Sequence, residues 1–434
     1  MDKSLSHSRS DNGMRVLARI AERTHALGLT FQLMEDDEFL GDRITLGGNT
    51  VANFGLASYL ALGDDDRLAK GARDAIDHYG TSYSSSIAYT AVPLYGELTE
   101  GLAQMFDSHV VLAPTTTLAH MAAMPALISP GDHVIVDSMA HASVRAATQA
   151  LQAAGTKVEL VEHSDLAALE ERLIEIGDAV PVWFLTDGVF SMYGDVCFAV
   201  GINDLMDRYE NLSVYCDDAH GFGWTGEHGR GIYLDRAGWH ERLVVVAGLS
   251  KSFGATGGVI ATTDEKRARA INFTGGPLVF GGPIPPAALG AGIASAEIHL
   301  SDELATRQAE LMRRIDFVNQ FSDELGLSLT ASDRTPLWYL DVGDGHKMTD
   351  LLSEMKQAGF FLNAAGFPVV PLGHAGVRFT ITLYNSLSQI EDMMTCLREK
   401  QLEVLGDTEI EIDIDQVAAS KEPSPFSRPF VPES

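Results

Sequence analysis

The stretch "LVVVAGLSKSFGATGG", residues 243–258, passes from an apolar run into small residues, a lysine between two serines, and then glycines. The Val-rich run reads as a buried strand and the glycines as its exit turn. Lys251 stands just past the strand end in a loop whose side chains are too small to shield it. It is either a solvated turn lysine or an amine held in a cleft for covalent chemistry. A second stretch, "VYCDDAHGFGWTGEHGRG" (214–231), supplies partners for the second reading. A strand there delivers Asp217 and Asp218, with His220 three residues beyond the first acid. Adjacent carboxylates at a buried strand end are costly unless one meets a cation. By itself the acid pair also fits a solvated turn or a helix cap.

Further strand patterns surround these two: "HVIVD" (133–137), "KVELVE" (157–162), "VWFLTDG" (182–188), "LSVYCDD" (212–218) and "GVIAT" (258–262). Between them lie helix-like stretches such as "HASVRAATQALQAAG" (141–155) and "AVGINDLMDRYE" (199–210). Val- and Ile-rich strands alternating with amphipathic helices predict an α/β fold with a mostly parallel sheet covered on both faces. In such sheets ligands bind beyond the carboxyl ends of the strands, where Asp187, Asp217 and Lys251 all fall. After about residue 286 a long helical stretch leads into a smaller α/β unit with strands at "LWYLDVG" (337–343) and "VRFTITLYN" (377–385). The expected organisation is an N-terminal segment (1–55) that joins the small domain, a large domain (56–285), a small C-terminal domain (286–400), and a tail (401–434). The tail holds an alternating acidic strand, "EIEIDID" (409–415), and a proline-rich end.

The 434 residues suffice for two packed units, and 45% hydrophobic content supports a large core. Three cysteines, Cys197, Cys216 and Cys396, lack paired spacing, which argues against disulfides or a zinc site and suits a cytoplasmic protein. A formal net charge of −29 disfavours nucleic acid and anionic membranes as partners. No stretch is apolar over the ~20 residues that a membrane span needs.

A lysine for an aldehyde, an acid for a pyridine nitrogen and a cup for a phosphate are what pyridoxal 5'-phosphate requires. With "DSMAHASV" (137–144), "TDGVFSMYGD" (186–195), "DDAHGFG" (217–223), "GLSKSFGATGG" (248–258) and "NFGLASYL" (53–60), the chain resembles the α-oxoamine synthase family of fold-type I pyridoxal-phosphate enzymes over roughly residues 45–400. That resemblance implies a Schiff base between Lys251 and the cofactor. Asp217 is implied at the pyridine nitrogen, with Asp218 packed outward or capping a helix. It also implies His220 and Ser191 at the phenolic oxygen and His141 stacked on the ring. In "LAPTTTLAHMAAM" (112–124), Thr116 and Thr117 are expected to hold the phosphate, with Thr115 in reserve and Ser250 as a further candidate. Arg378 would hold the substrate carboxylate.

The chain departs from the family at the substrate mouth. The family threonine three residues before the lysine is Gly248; its G-S-R-x-x-x-G-T is "YSSSIAYTAV" (83–92), and the following histidine is Tyr95. Its S-x-S/T is "FGGPIPP" (280–286), and its A-x-H-T is "YNSL" (384–387). The resemblance implies a homodimer, with "TGGPLVFGGP" (274–283) read as a loop built for close backbone approach. It implies decarboxylative condensation of an amino acid with an acyl thioester, carried by coenzyme A or a carrier protein, to give an α-amino ketone. A pyridoxal-phosphate aldolase, aminotransferase or side-chain lyase is the alternative, and a regulatory protein without turnover the third reading.

Overall fold

The computed structural model describes residue 18 and residues 20–367 and 369–406. The acidic strand and the proline-rich end lie outside the described residues. The chain divides into two units. One holds the described residues up to Leu56, Met192–Gly194, and those from Met312 onward; the other holds Ala57–Ser191 and Asp195–Leu311.

The first unit holds β1 (Arg43–Leu46) and β2 (Asn49–Asn53), an antiparallel pair. The second unit is built on a seven-stranded sheet of β3 (His109–Ala113), β4 (His133–Asp137), β5 (Lys157–Val161), β6 (Val182–Asp187), β7 (Leu212–Asp217), β8 (Leu243–Gly248) and β9 (Gly258–Thr262). The order is β3-β9-β8-β7-β6-β4-β5. Pairings from β8 through β5 are parallel, whereas β9 runs antiparallel to both β8 and β3. Every residue of β4, β6, β7, β8 and β9 is buried, as a sheet covered on both faces requires.

Two consequences of strand geometry position the site. In the parallel register Asp187 pairs with Asp217, so two carboxylates end neighbouring strands side by side. Along β7 the two-residue alternation sends Tyr215 into one core cluster and Val214 and Cys216 into the other. Asp217 shares the face of Tyr215, and Asp218 takes the opposite one.

The long helical stretch is two helices, Pro286–His299 and Glu303–Leu325. The first belongs to the sheet's unit, not to a domain beginning at residue 286. Its Gly290 carbonyl oxygen lies 2.4 Å from where a Cβ on Gly71 would stand, so close approach to helix Asp66–Tyr79 fixes it there.

The later part of the first unit pairs β10 (Leu337–Gly343) with β13 (Ala375–Thr380), which also pairs with β12 (Asn363–Ala365). β11 (Phe360–Phe361) joins β2 in parallel. The strand expected over 377–385 stops at Thr380, and Thr382–Asn385 forms a turn in which Asn385 Oδ1 accepts from the Thr382 amide at 3.0 Å. The last helix, Leu387–Leu405, runs past the boundary expected at 400 and ends at Gly406.

Candidate active site

At the carboxyl ends of the strands lies a cavity of about 260 Å³. Its lining includes Lys251, Asp217, His220, His141, Thr116, Thr117 and Ser250, seven residues singled out in the sequence. Thr115 and Asp187 line it as well. Ser191 is not among the lining residues; Val189, two positions earlier, is. Arg378 belongs to the other unit, on β13 opposite Tyr339 and Asn363.

Asp217 is buried at 5% exposure, and both its oxygens are engaged. The Ala219 amide donates to Oδ1 at 3.1 Å, and His120 Nε2 stands 3.0 Å from Oδ2. Burial alone would raise this carboxyl, but His120, and beyond it His141 and Lys251, hold it below the usual carboxylate range. Asp187 goes the other way. Burial and the charge of Asp217 push its pKa well above the ordinary value, although the His141 amide donates to Oδ1 at 3.1 Å. The two neighbouring carboxyls are therefore shifted in opposite directions.

Asp218 is fully buried rather than outward-facing. Its Oδ2 accepts from the Tyr233 amide at 3.0 Å in the first turn of helix Ile232–Ala237, which makes it a cap from across the loop. Burial raises its pKa to about 7. A Cβ on Gly188, Gly221 or Gly231 would meet its carboxylate oxygens at 2.1–2.3 Å, so these glycines make room for it.

His220 Nδ1 is 2.8 Å from the Tyr59 hydroxyl, and Trp224 Nε1 donates to its carbonyl at 2.6 Å. His141 caps helix Ala142–Ala153 through its ring, with Nδ1 2.7 Å from Ser143 Oγ and accepting from the Ser143 amide at 3.3 Å. The ring opens onto the cavity, yet desolvation by the surrounding atoms, assisted by Lys251 and His120, holds it below the usual histidine range.

Helix Thr116–Leu127 points its first turn at the cavity. Thr115 is the N-cap, its hydroxyl accepting from the Leu118 amide at 3.1 Å. The amides of Thr116 and Thr117 have no carbonyl to reach within the helix, which makes this end an anion site. Gly248 fits this arrangement. A Cβ there would stand 2.8 Å from Thr116 Oγ1, so the space next to β8 already holds a hydroxyl from the helix. Gly248→Thr is expected to weaken pyridoxal phosphate binding roughly tenfold through overpacking against Thr116, and Gly248→Ala to weaken it less. Titration of the apo protein, followed by absorbance, checks both.

The loop after β6 is fastened by a half-buried clamp. His163 Nδ1 lies 2.9 Å from Asp137 Oδ1, and Nε2 2.8 Å from Asp195 Oδ2. Burial opposes the imidazolium, but the two carboxylates override it and raise the pKa to about 10. A raised folded-state pKa contributes stability that is complete below the unfolded value near 6.5 and disappears as pH climbs through 10. His163→Gln should therefore cost about 3 kcal/mol at pH 6 and flatten the loss of stability between pH 7 and 10, as measured by urea unfolding.

The family departures are bonded to one another. Ser86 Oγ donates to the Val279 carbonyl at 2.5 Å, and the Ile284 amide donates to the Tyr95 hydroxyl at 2.5 Å. Gly276–Phe280 is a short helix, not an open loop. Close approach is confined to Gly275 and Gly281, where a Cβ would meet backbone oxygens at 2.6 and 2.2 Å; Gly276 and Gly282 have open space.

Residues 53–386 match the aminotransferase class I and II family. The chain belongs to this family. Within it the relatives are α-oxoamine synthases. The 8-amino-7-oxononanoate synthase of Thermosipho melanesiensis is 31% identical over 362 residues, covering 81% of this chain and 88% of the relative. That of Thermoanaerobacter pseudethanolicus is 30% identical, covering 84% and 92%. Among solved structures, the serine palmitoyltransferase of Sphingomonas wittichii aligns with a TM-score of 0.83 at 20% identity, over 93% of this chain and 99% of that one. The 8-amino-7-oxononanoate synthase of Francisella tularensis aligns with a TM-score of 0.68 at 21% identity, over 81% and 97%. This family member is a fold-type I enzyme dependent on pyridoxal phosphate. The cavity's own chemistry fits that cofactor: an amine, an ionised buried carboxylate and a helix N-terminus converge on it.

Sequence reasoning missed His120, Tyr59 and the pairing of Asp187 with Asp217. His120 had a signal: it follows Thr116 by four residues, so both share one helix face.

Proposed function

We propose that this enzyme condenses an amino acid with an acyl thioester, releasing CO₂ and the free thiol and forming an α-amino ketone. The convergence of Lys251, Asp217, His220, His141 and the Thr116 helix end on one cavity carries this reading. Bound pyridoxal phosphate supplies the electron sink for negative charge on the substrate Cα. Lys251 Nζ would hold the cofactor aldehyde and then take the Cα proton as a general base. Asp217 would pair with the ring nitrogen and His220 with the phenolic oxygen, whereas Ser191, expected there too, does not line the cavity. His141 would pack on the ring face. The amides and hydroxyls of Thr116 and Thr117, with Ser250, would bind the phosphate. Arg378 would hold the substrate carboxylate through a bidentate contact.

The donor's thioester carrier is coenzyme A or a carrier protein. A homodimer is supported by Tyr89 and Phe280, exposed at 88% and 90% on the segments that Ser86 ties together. Cys197, Cys216 and Cys396 are unpaired, which suits a cytoplasmic setting. Among the described residues no helix is long and apolar enough to cross a membrane.

Release of labelled CO₂ from a carboxyl-labelled amino acid tests the reaction. Release that depends on added thioester is expected. Turnover to an aldehyde or keto acid without thioester would assign the enzyme to another pyridoxal-phosphate class.

A further inference from the structure

Behind Asp217 lie two buried polar groups, His120 and Tyr215, that the proposed chemistry does not use. His120 is 0% exposed. Its Nε2 stands 3.0 Å from Asp217 Oδ2, and its Nδ1 stands 2.9 Å from the Tyr215 hydroxyl. All three groups lie where the fold brings them by simple periodicities. Tyr215 and Asp217 are two apart on β7 and share a face, and the helix bearing His120 covers that face.

The hydrogen count fixes the proton between His120 and Asp217. An ionised carboxylate only accepts, so Nε2 must carry the proton. Nδ1 then shares its hydrogen bond with the Tyr215 hydroxyl, a group able to donate to it or accept from it. Burial raises the Tyr215 pKa well above the ordinary value and keeps the hydroxyl protonated. Asp217 Oδ1 accepts from the Ala219 amide and Oδ2 from His120, and the residue lines the cavity.

We infer that His120, oriented by Tyr215, is a positioning residue that fixes the Asp217 carboxylate as a charged acceptor for a protonated ring nitrogen. The inference rests on the reading that Asp217 faces that nitrogen. Without His120 one oxygen loses its donor, the carboxylate is freer to turn or to take up the proton, and its advantage toward a cationic nitrogen falls. A histidine serving only to fill space would have no such selective effect.

The test compares pyridoxal phosphate with its 1-deaza analogue, which has carbon in place of the ring nitrogen. Dissociation constants for both are measured with apo wild type, His120→Ala and Tyr215→Phe. Wild type is expected to prefer the natural cofactor. His120→Ala should cut that preference by at least about tenfold, as loss of a hydrogen bond to a charged group implies, and Tyr215→Phe by about threefold. The preference is a ratio within each variant, so general destabilisation cancels, and Tyr215→Phe preserves shape if His120→Ala fails to fold. A preference unchanged in both variants, or equal weakening toward both cofactors, overturns the role of His120 while leaving Asp217 in place. A wild type with no preference overturns the Asp217 reading itself and the inference with it.

Discussion

Lys251→Ala abolishes turnover, lowering thioester-dependent CO₂ release by about 10⁴-fold or more. The expectation follows from where the lysine sits. Its loop leaves β8 and turns back at once: the Gly254 amide donates to the Lys251 carbonyl at 3.0 Å, and the Leu249 amide to the Gly257 carbonyl at 3.0 Å. Ser252 and Phe253 anchor the loop in the core at 0% exposure, while the Lys251 side chain enters the cavity. Truncation therefore removes an amine without opening a core void, and stability should change by less than about 1 kcal/mol. The cavity would keep its phosphate cup and Asp217, so cofactor binding weakens but persists. Lys251→Arg should be equally inactive, because a guanidinium does not give up its proton to act as a base. Steady-state assays with thermal unfolding as the control check both variants. Activity in either within tenfold of wild type would exclude Lys251 as the base.

Asp217→Asn is expected to lower kcat by about 10²- to 10³-fold, the scale of removing one preorganised electrostatic group. The amide preserves shape, and its oxygen can still accept from the Ala219 amide. What it loses is the charge, and its NH₂ end would meet the His120 N–H donor head-on. Because the effect falls on the electron sink and not on substrate contacts, KM for the thioester should stay within about threefold. Asp217→Ala should also destabilise the apo protein by about 1–3 kcal/mol, since it strands a buried donor. Kinetics and urea unfolding of both variants separate the two effects. An Asn variant with wild-type kcat would remove Asp217 from the chemistry.

Much of this site was legible because it follows from strands. The apolar runs ending at Asp137, Asp187, Asp217 and Gly248 are the strands observed, and a parallel sheet gathers their ends into one crevice. Lys251, His220 and His141 follow those ends by a few residues and arrive with them. Residues that depend on a helix face or on a distant turn were not legible in the same way. His120 appears in the sequence as one polar residue in an apolar helix, and only packing against β7 gives it Asp217 as a partner. Tyr59 lies 161 positions from His220, a separation on which local periodicity is silent. Asp218 carries the same charge as its neighbour, but alternation along the strand turns it to the opposite face, where glycines enclose it. The segment 276–280 reads as a glycine-proline loop, yet Pro277 fits the first turn of a helix and one forms.

Borohydride reduction of the holoenzyme asks whether the amine at position 251 carries the cofactor. Reduction fixes the cofactor covalently to whichever amine holds its aldehyde, and peptide mass mapping then locates it. A single modified peptide is expected, the one containing Lys251, with no modification in Lys251→Ala. Label on another lysine, or none in a wild-type enzyme saturated with cofactor, would contradict that expectation.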